Sequence, residues 1–249
     1  MLSINELKQL RSLRQKKYRN EYQKFLVEGT KSVLEVLQSD FVVEKVYATQ
    51  QWKNKHPDFF FDTQIVSAKE CARISSLSTP PEVFASVQMK PKTEFCADNY
   101  QRILLLDGVN YTGNFGTILR TADWFGVEAL VCSEDTVELF NPKAIQASMG
   151  SFTRVSVFYQ DLKTFIDENK DNYTFFGTFM KGKSVRDISF PKKSAIVLGS
   201  ESHGISDEIT RMVNETISIE MAGDAIGRKS AESLNVSLAA AIVCYEMVK

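Results

Sequence analysis

The sequence predicts an α/β protein: a parallel-sheet domain with helices on both faces, preceded by a smaller α/β domain. Short apolar runs alternate with helical segments along the chain, most regularly after residue 100, and this alternation is typical of parallel sheets. Between Lys90 and Tyr100 the pattern lapses into a polar, proline-containing stretch. We interpret that stretch as a linker and expect two domains, 1–97 and 98–249.

The first domain is expected to alternate helices and strands around a small core. A basic helix is predicted near residues 4–19, before the apolar strand FLVEG, and Thr30 is expected to cap the helix KSVLEVLQ. Further strands are predicted in VEKVYAT, TQIVSA and EVFASVQM, and a further helix in AKECARISS. Pro80 and Pro81 mark a turn before the last of these strands.

The second domain is expected to contain six strands with helices between them. The strands are predicted in RILLLDGV, EALVCS, RVSVF, YTFFGTF, SAIVLGS and TISIEM, and the helices near GTILRTADWF, PKAIQASMG, LKTFIDEN and SDEITRMV. Ligands of parallel sheets bind beyond the carboxyl ends of the strands. The predicted site therefore lies in the loops DGVNYTGN, TFMKGKS, GSESHG and MAGDAIGRKSAES.

The composition describes an ordinary globular protein and argues against several classes. Hydrophobic residues make up 43%, charged residues 24%, and the net charge is −1. No apolar run approaches the roughly 18 residues of a membrane span, and the first residues lack the apolar core of a signal peptide, so we expect a cytoplasmic protein. Four scattered cysteines without a C-x-x-C pair, and only two histidines, predict neither disulfides nor a metal site.

Positive charge is concentrated near the N-terminus. Residues 7–20 contain six cations and no acidic residue: Lys8, Arg11, Arg14, Lys16, Lys17 and Arg19. Such a run is either the solvated face of a helix or an arm that contacts phosphates. The sequence leaves both interpretations open.

The last helix, ESLNVSLAAAIVCYEMVK, is apolar almost all round between Leu234 and Val243. A terminal helix with water on one side should carry a polar stripe. This helix is therefore expected to have protein on both faces. It is either a central core helix of a monomer or packs against a second subunit.

Three segments together resemble the SpoU family of ribose 2′-O-methyltransferases, part of the SPOUT superfamily. They are NFGTILRTAD (114–123), IVLGSESHGISDE (196–208), and IEMAG (219–223) followed after an interval by ESLNVSLAAA (232–241). The glycines before the first segment fit no phosphate-binding motif. FLVEG (25–29) and TPPEVFA (79–85) resemble, more loosely, the small ribosomal-protein-like substrate-binding domain that often precedes the catalytic domain.

The resemblance implies a fold and an activity that composition alone does not indicate. It implies a C-terminal trefoil knot, a pocket for S-adenosylmethionine, a homodimer, and methylation of a ribose 2′-hydroxyl in RNA without a metal ion. Ribosomal RNA is favoured as the substrate, with transfer RNA as the alternative. A non-catalytic RNA-binding protein of the same fold is the alternative from another class.

The resemblance also implies site residues. Those expected in catalysis are Asn114, Arg120, Glu201, Ser233 and Asn235. Those expected to bind the cofactor are Thr178, Phe179, Leu198, Gly199, Ile219, Met221, Ser233 and Leu234. A guanidinium stays protonated, so we expect Arg120 to clamp the adjacent phosphate and stabilise the emerging alkoxide rather than act as a base.

Simpler roles compete with several of these assignments. Asn114, Ser233 and Asn235 could cap helices, and Glu201 could orient Asn114 or be an ordinary loop acid. We interpret His203 as a loop histidine.

Two further features bear on the site. Trp124 and Phe125 are interpreted as core aromatics rather than base-stacking platforms. The inserted residues DAIGRKSA (224–231), which interrupt the family pattern, make the neighbouring cofactor contacts less secure.

Overall fold

A computed structural model of the chain describes residues 2–221 and 233–249. The chain divides into two compact units, Met1–Pro91 with Glu138–Arg154, and Lys92–Val137 with Val155–Lys249. The boundary that the sequence predicted, after residue 97, lies close to Lys92, where the chain passes from the first unit to the second. The prediction placed residues 138–154 in the second domain, whereas the structure groups them with the first unit. No helix in the described ranges is long and apolar enough to cross a membrane.

Helices and strands alternate along most of the chain. The helices are α1 Ile4–Ser12, α2 Lys16–Tyr22, α3 Thr30–Leu37, α4 Gln50–Lys55, α5 Ala68–Ile74, α6 Thr112–Phe125, α7 Pro142–Ser148, α8 Leu162–Asn169, α9 Asp207–Thr210 and α10 Val236–Val248. The strands are β1 Lys24–Glu28, β2 Val43–Ala48, β3 Thr63–Ile65, β4 Val83–Gln88, β5 Arg102–Asp107, β6 Ala129–Cys132, β7 Ser156–Tyr159, β8 Thr174–Ser184, β9 Ser194–Gly199 and β10 Glu215–Ser218.

The first unit is a four-stranded sheet of order β1-β4-β2-β3. Strand β4 runs antiparallel to β1 and β2, and β3 runs parallel to β2. Successive residues of β1 enter different cores, because side chains alternate along a strand: Phe25 packs with α3 and α4, whereas Leu26 packs with α1 and α5. Both faces of this sheet are therefore covered.

The predicted N-terminal helix is two helices, and one short helix was missed. Helix α1 ends before the buried Leu13, and α2 begins at Lys16. Thr30 does not cap α3, whose N-cap is Gly29; its hydroxyl instead accepts a hydrogen bond from the indole of Trp52 at 2.8 Å. Trp52 lies in α4, a largely polar segment that gives no helical apolar pattern.

Two of the six N-terminal cations have structural roles. Arg19 is only 2% exposed, forms an ion pair with Glu138 at 2.6 Å, and donates to two backbone carbonyl oxygens at 2.9 Å each. Arg14 donates to the carbonyl oxygen of Ile74 at 2.7 Å. A solvated face or a phosphate arm is therefore the wrong interpretation for these two arginines. The other four are exposed: Lys8, Arg11, Lys16 and Lys17.

Residues 138–154 complete the core of the first unit. Ile145 and Phe152 are 1% and 2% exposed and belong to the same apolar cluster as Phe25. The ring of Phe140 lies 4.4 Å from that of Phe25. This segment follows β6 in sequence, so its place in the first unit depends on long-range packing that the local pattern does not indicate.

The second unit contains the predicted parallel sheet. Its six strands are ordered β10-β8-β9-β5-β6-β7, and all five neighbouring pairs are parallel. The side chains from Ile103 to Leu106 in β5 are 0% exposed, as expected for a strand covered on both faces. The six predicted strands are thus confirmed. The trefoil knot stays a prediction, because residues 222–232 lie outside the described ranges.

Strands β5 and β9 form the switch point of this sheet. After β5 the chain adds β6 and β7 on one side, and later strands lie on the other side. The carboxylate of Asp107, which ends β5, accepts a hydrogen bond from the backbone N–H of Ser206 at 2.8 Å. The loops that follow β5 and β9 therefore flank one crevice, where parallel sheets bind ligands.

Helix α10 has one face buried in its own unit and one face in solvent. Ala240 and Val243 are 0% and 1% exposed, whereas Leu238, Ile242 and Tyr245 are 57%, 38% and 56% exposed. The apolar sequence thus does not mean that the helix is covered all round by its own chain.

The two aromatic residues at the end of α6 were assigned to the core, and for Trp124 this is wrong. Trp124 is 84% exposed. Phe125 is half-buried, with its ring 6.2 Å from that of Tyr245. The end of α6 therefore adds aromatic surface beside the exposed face of α10.

Candidate active site

A cavity of about 710 Å³ lies at the carboxyl ends of β9 and β10, against the middle of β8 and beside the start of α10. This volume is within the usual range for small-molecule sites. All eight residues that the sequence assigned to cofactor binding line it: Thr178, Phe179, Leu198, Gly199, Ile219, Met221, Ser233 and Leu234. The structure therefore brings together residues that are up to 56 positions apart in the chain.

A tight hairpin after β9 forms one wall of the cavity. Ser200 and Gly204 exchange backbone hydrogen bonds of 3.1 and 2.9 Å. Gly204 has a φ of +69°, and a Cβ on Gly199 would lie 2.0 Å from the carbonyl carbon of Gly204. Glycine is required at position 199 because the hairpin folds back directly onto its backbone.

The described lining of the cavity carries negative charge and no positive charge. Its described lining residues include no lysine or arginine, and the charged side chains among them are the carboxylates of Glu201 and Glu220. The remainder of the lining is mainly aliphatic side chains, methionines and loop backbone. Such a lining suits a ligand with apolar parts and a positive charge, and it lacks the cations that hold the phosphates of a nucleotide.

Asn114 and Asn235 meet beside this cavity. Asn114 lies in the first turn of α6 and is 7% exposed; the N-cap of α6 is Tyr111, so Asn114 is not the helix cap. Its Oδ1 accepts a hydrogen bond of 3.0 Å from Nδ2 of Asn235. Asn235 does cap its helix, since its Oδ1 accepts from the backbone N–H of Ser237. Asn235 therefore both caps α10 and binds Asn114 beside the cavity.

The other residues assigned to catalysis are less constrained. Arg120 and Glu201 are exposed, and neither forms a hydrogen bond or ion pair with another residue in the described ranges. Glu201 therefore does not orient Asn114 in this structure. Ser233 is exposed at the cavity edge. Arg120 presents a positive charge, uncommitted to any described residue, on the helix that contains Asn114.

His203 lies in the exposed hairpin loop, as expected. Its Nδ1 lies 2.8 Å from the hydroxyl of Ser202. Among the described residues, no group of three or more His, Cys, Asp or Glu side chains is placed to bind a metal ion.

Sequence reasoning missed several apolar residues of the cavity and four polar ones, Ser200, His203, Ser218 and Glu220. The missed lining residues include Met180, Ile205, Ile217, Val236, Ala239 and Val243. These residues could have been recognised from their positions, because they lie in or near the predicted loops or on the buried face of α10. Ser237 was also missed. Gly223, Glu232 and the insertion 224–231 lie outside the described residues.

Comparison with known proteins identifies the family. Residues 101–245 match the model of the SpoU rRNA Methylase family, and residues 5–85 match that of the MRM3-like substrate binding domain. The chain belongs to the SpoU rRNA Methylase family. The resemblance and the α/β parallel-sheet fold with a preceding substrate-binding domain are thereby confirmed.

Three proteins are similar to this SpoU protein over nearly their full length. The 23S rRNA (guanosine(2553)-2′-O)-methyltransferase RlmP of Bacillus subtilis is 27% identical, over 97% of this chain and 95% of its own. A solved structure from Porphyromonas gingivalis, assigned to the TrmH family of RNA methyltransferases, is 34% identical with a TM-score of 0.86, covering 99% and 98% of the two chains. The AdoMet-bound rRNA methyltransferase from Sinorhizobium meliloti is 25% identical with a TM-score of 0.83, covering 99% and 96%.

Proposed function

We propose that this SpoU protein transfers a methyl group from S-adenosylmethionine to a ribose 2′-hydroxyl of RNA, with ribosomal RNA favoured over transfer RNA. One observation carries the proposal: the cavity at the carboxyl ends of β9 and β10 lies beside the Asn114–Asn235 pair. The names of the Bacillus subtilis and Sinorhizobium meliloti relatives support ribosomal RNA as the substrate class.

The lining residues fit the proposed cofactor. S-adenosylmethionine supplies a methyl group on a positively charged sulfur, so it suits a cavity whose described lining has carboxylates and no cations. Backbone groups of the hairpin at Gly199 and of Ile219 and Leu234 would hold the adenine and ribose, and the cavity's apolar residues exclude water. The cofactor supplies the reactive methyl group, and the protein aligns it with the ribose hydroxyl and stabilises the charge that develops.

On the RNA side, Arg120 is the proposed electrostatic group. A guanidinium group carries a permanent positive charge in proteins, so it is unsuited to remove the hydroxyl proton. Its exposed fork is suited to a phosphate oxygen next to the reacting ribose. Asn114, 7% exposed and hydrogen-bonded to Asn235, is suited to orient the reacting nucleotide.

The first unit is proposed to bind the RNA away from the reacting ribose. Its exposed cations Lys8, Arg11, Lys16 and Lys17 lie on or beside α1 and α2 and remain available for phosphates. Arg14 and Arg19 are excluded from this role by their internal bonds. With RNA of this kind as the substrate, we expect the activity in the cytoplasm.

A homodimer is proposed through α10. The exposed side chains Leu238, Ile242 and Tyr245 follow one another at i, i+4 and i+7 and form one apolar stripe. The exposed Trp124 of α6 adds a second apolar group in the same unit. Contiguous exposed apolar surface marks sites of association, and we propose a second copy of this chain as the partner.

A methyl-transfer assay tests the proposed function. Purified protein is incubated with radiolabelled S-adenosylmethionine and either ribosomal or transfer RNA from cells that lack the gene. Label in ribosomal RNA, mapped to a 2′-O-methylated ribose and lost in Arg120→Ala, is the expected result. Label in transfer RNA alone would select the other substrate, and no label in either RNA would favour a non-catalytic RNA-binding protein.

A further inference from the structure

A chain of three hydrogen-bonded side chains leads from α10 to α6. We infer that Ser237 and Asn235 fix the orientation of the Asn114 amide, so that Asn114 presents its NH2 group, and not its carbonyl oxygen, to an oxygen atom of the RNA. The inference rests on the proposed function for the identity of the ligand. The orientation itself rests on geometry alone.

The orientation of Asn235 follows from its donors. The backbone N–H of Ser237 lies 3.0 Å from Oδ1 of Asn235 and can only donate a hydrogen bond. The hydroxyl of Ser237 lies 2.6 Å from the same oxygen and donates to it as well. An amide turned the other way would place its NH2 against that N–H, so Oδ1 must face α10.

The orientation of Asn235 then dictates that of Asn114. The Nδ2 group of Asn235 points to Asn114 and donates to its Oδ1 at 3.0 Å. Turning Asn114 over would bring two NH2 groups together without an acceptor. The carbonyl oxygen of Asn114 is therefore occupied within the protein, and its NH2 group is the part left for a ligand.

The NH2 group of Asn114 donates to none of the described residues, although Asn114 is only 7% exposed. It is also not one of their buried atoms without a partner, which are Gln64 Oε1 and Gln160 Nε2. An NH2 group can donate to ribose or phosphate oxygens but cannot accept a proton. Asn114 is thus a hydrogen-bond donor to RNA, while Asn235 and Ser237 are positioning residues.

Two variants separate this orientation from a structural role. In Asn235→Asp the carboxylate still accepts from Ser237 and still caps α10, since Asp and Asn are equally good caps. Its second oxygen, however, faces Asn114 and forces that amide to turn over. In Ser237→Ala the backbone N–H of residue 237 remains and keeps the orientation.

The expected kinetic results differ between the two variants. Asn235→Asp should lower kcat about 100-fold at pH 8, a loss typical for removal of one well-placed donor, with cofactor affinity and melting temperature nearly unchanged. Ser237→Ala should lower kcat by only a few-fold. Full activity of Asn235→Asp at pH 8, or an equal loss of activity in Ser237→Ala, would overturn the inference.

Side-chain amide NMR tests the orientation without any assay of activity. The Asn114 NH2 resonances, assigned by their absence in Asn114→Ala, should exchange rapidly with water in the wild type and become protected in Asn235→Asp. Slow exchange in the wild type would refute the orientation even if methylation is found. Absence of methylation by the wild type, with the expected exchange pattern, would instead refute the proposed function and leave the orientation standing.

Discussion

The two faces of α10 allow association to be separated from folding with a single pair of variants. Leu238→Glu places a carboxylate on the exposed face, where the wild-type side chain is 57% exposed in the single chain. Ala240→Glu places the same carboxylate where the wild-type residue is 0% exposed. We expect the first variant to be a folded monomer and the second to lose its fold.

The free energies of these effects can be estimated from the exposed fractions of the side chains. Full burial of a Leu or Ile side chain contributes about 1.5–3 kcal/mol, so the half-exposed Leu238 and Ile242 would each add about 1 kcal/mol on association. A two-fold dimer buries each of them twice, for about 4 kcal/mol in all. A buried unpaired carboxylate costs at least several kcal/mol, and the two-fold axis would introduce two of them. The cost of burying the two glutamates of the Leu238→Glu variant therefore exceeds the free energy that burial of Leu238 and Ile242 contributes to association.

Analytical ultracentrifugation at micromolar concentration measures the association, and circular dichroism measures the fold. The wild type should sediment as a dimer, Leu238→Glu as a monomer with an unchanged spectrum, and Ala240→Glu with a reduced helical signal. A dimeric Leu238→Glu variant, or a monomeric wild type, would show that the exposed face of α10 is not an interface.

Four further results are expected. Deleting residues 1–97 exposes the apolar side of residues 138–154, so the remaining fragment should aggregate in gel filtration. The double substitution Ile145→Ser and Phe152→Ser should restore the solubility of this fragment. A fragment that is soluble and monodisperse without these substitutions would contradict the prediction. Gly199→Ala should lower both the melting temperature and the affinity for S-adenosylmethionine in calorimetry, because its Cβ would overlap the hairpin backbone; wild-type values would refute the overlap. Burial raises the pKa of Cys71 to about 11 and of Cys244 to about 12, so at pH 8 a thiol reagent should label only the exposed Cys96 in the folded protein and all four cysteines after unfolding. Arg120→Ala should abolish methylation but retain cofactor binding, and a comparable loss of cofactor affinity would remove Arg120 from the RNA side.

The fold of the second unit was predictable because its strands are short and continuously apolar. A run such as RILLL can be buried on both faces only in a covered sheet, and the helices between such runs leave a parallel arrangement as the natural solution. The loops at the carboxyl ends then had to meet. The pattern indicated only which edge of the sheet carries the site, and the individual cavity-lining residues were assigned from the resemblance to the SpoU family.

Other features depended on distant partners and gave no local signal. Arg19 belongs to a basic run that looks solvent-exposed, yet it is buried because Glu138, 119 positions later, neutralises it. Helix α4 contains mostly polar residues, and its buried Trp52 finds its partner in α3. Trp124 has the large apolar side chain that is usual for a core residue, but it is exposed to solvent. The orientation of Asn114 required the distances to Asn235.

Residues 138–154 also determine the order in which the protein can fold during its synthesis. The N-terminal part of the first unit ends at Pro91, 63 residues before Arg154, the last residue of the segment that completes its core. At about 5–20 residues per second, the surface around Phe25 stays uncovered for roughly 3–12 seconds. During that interval the nascent chain presents a cluster of phenylalanines to the cell. Chaperone binding to the growing polypeptide should therefore peak before residue 154 is translated and decline once this segment has emerged.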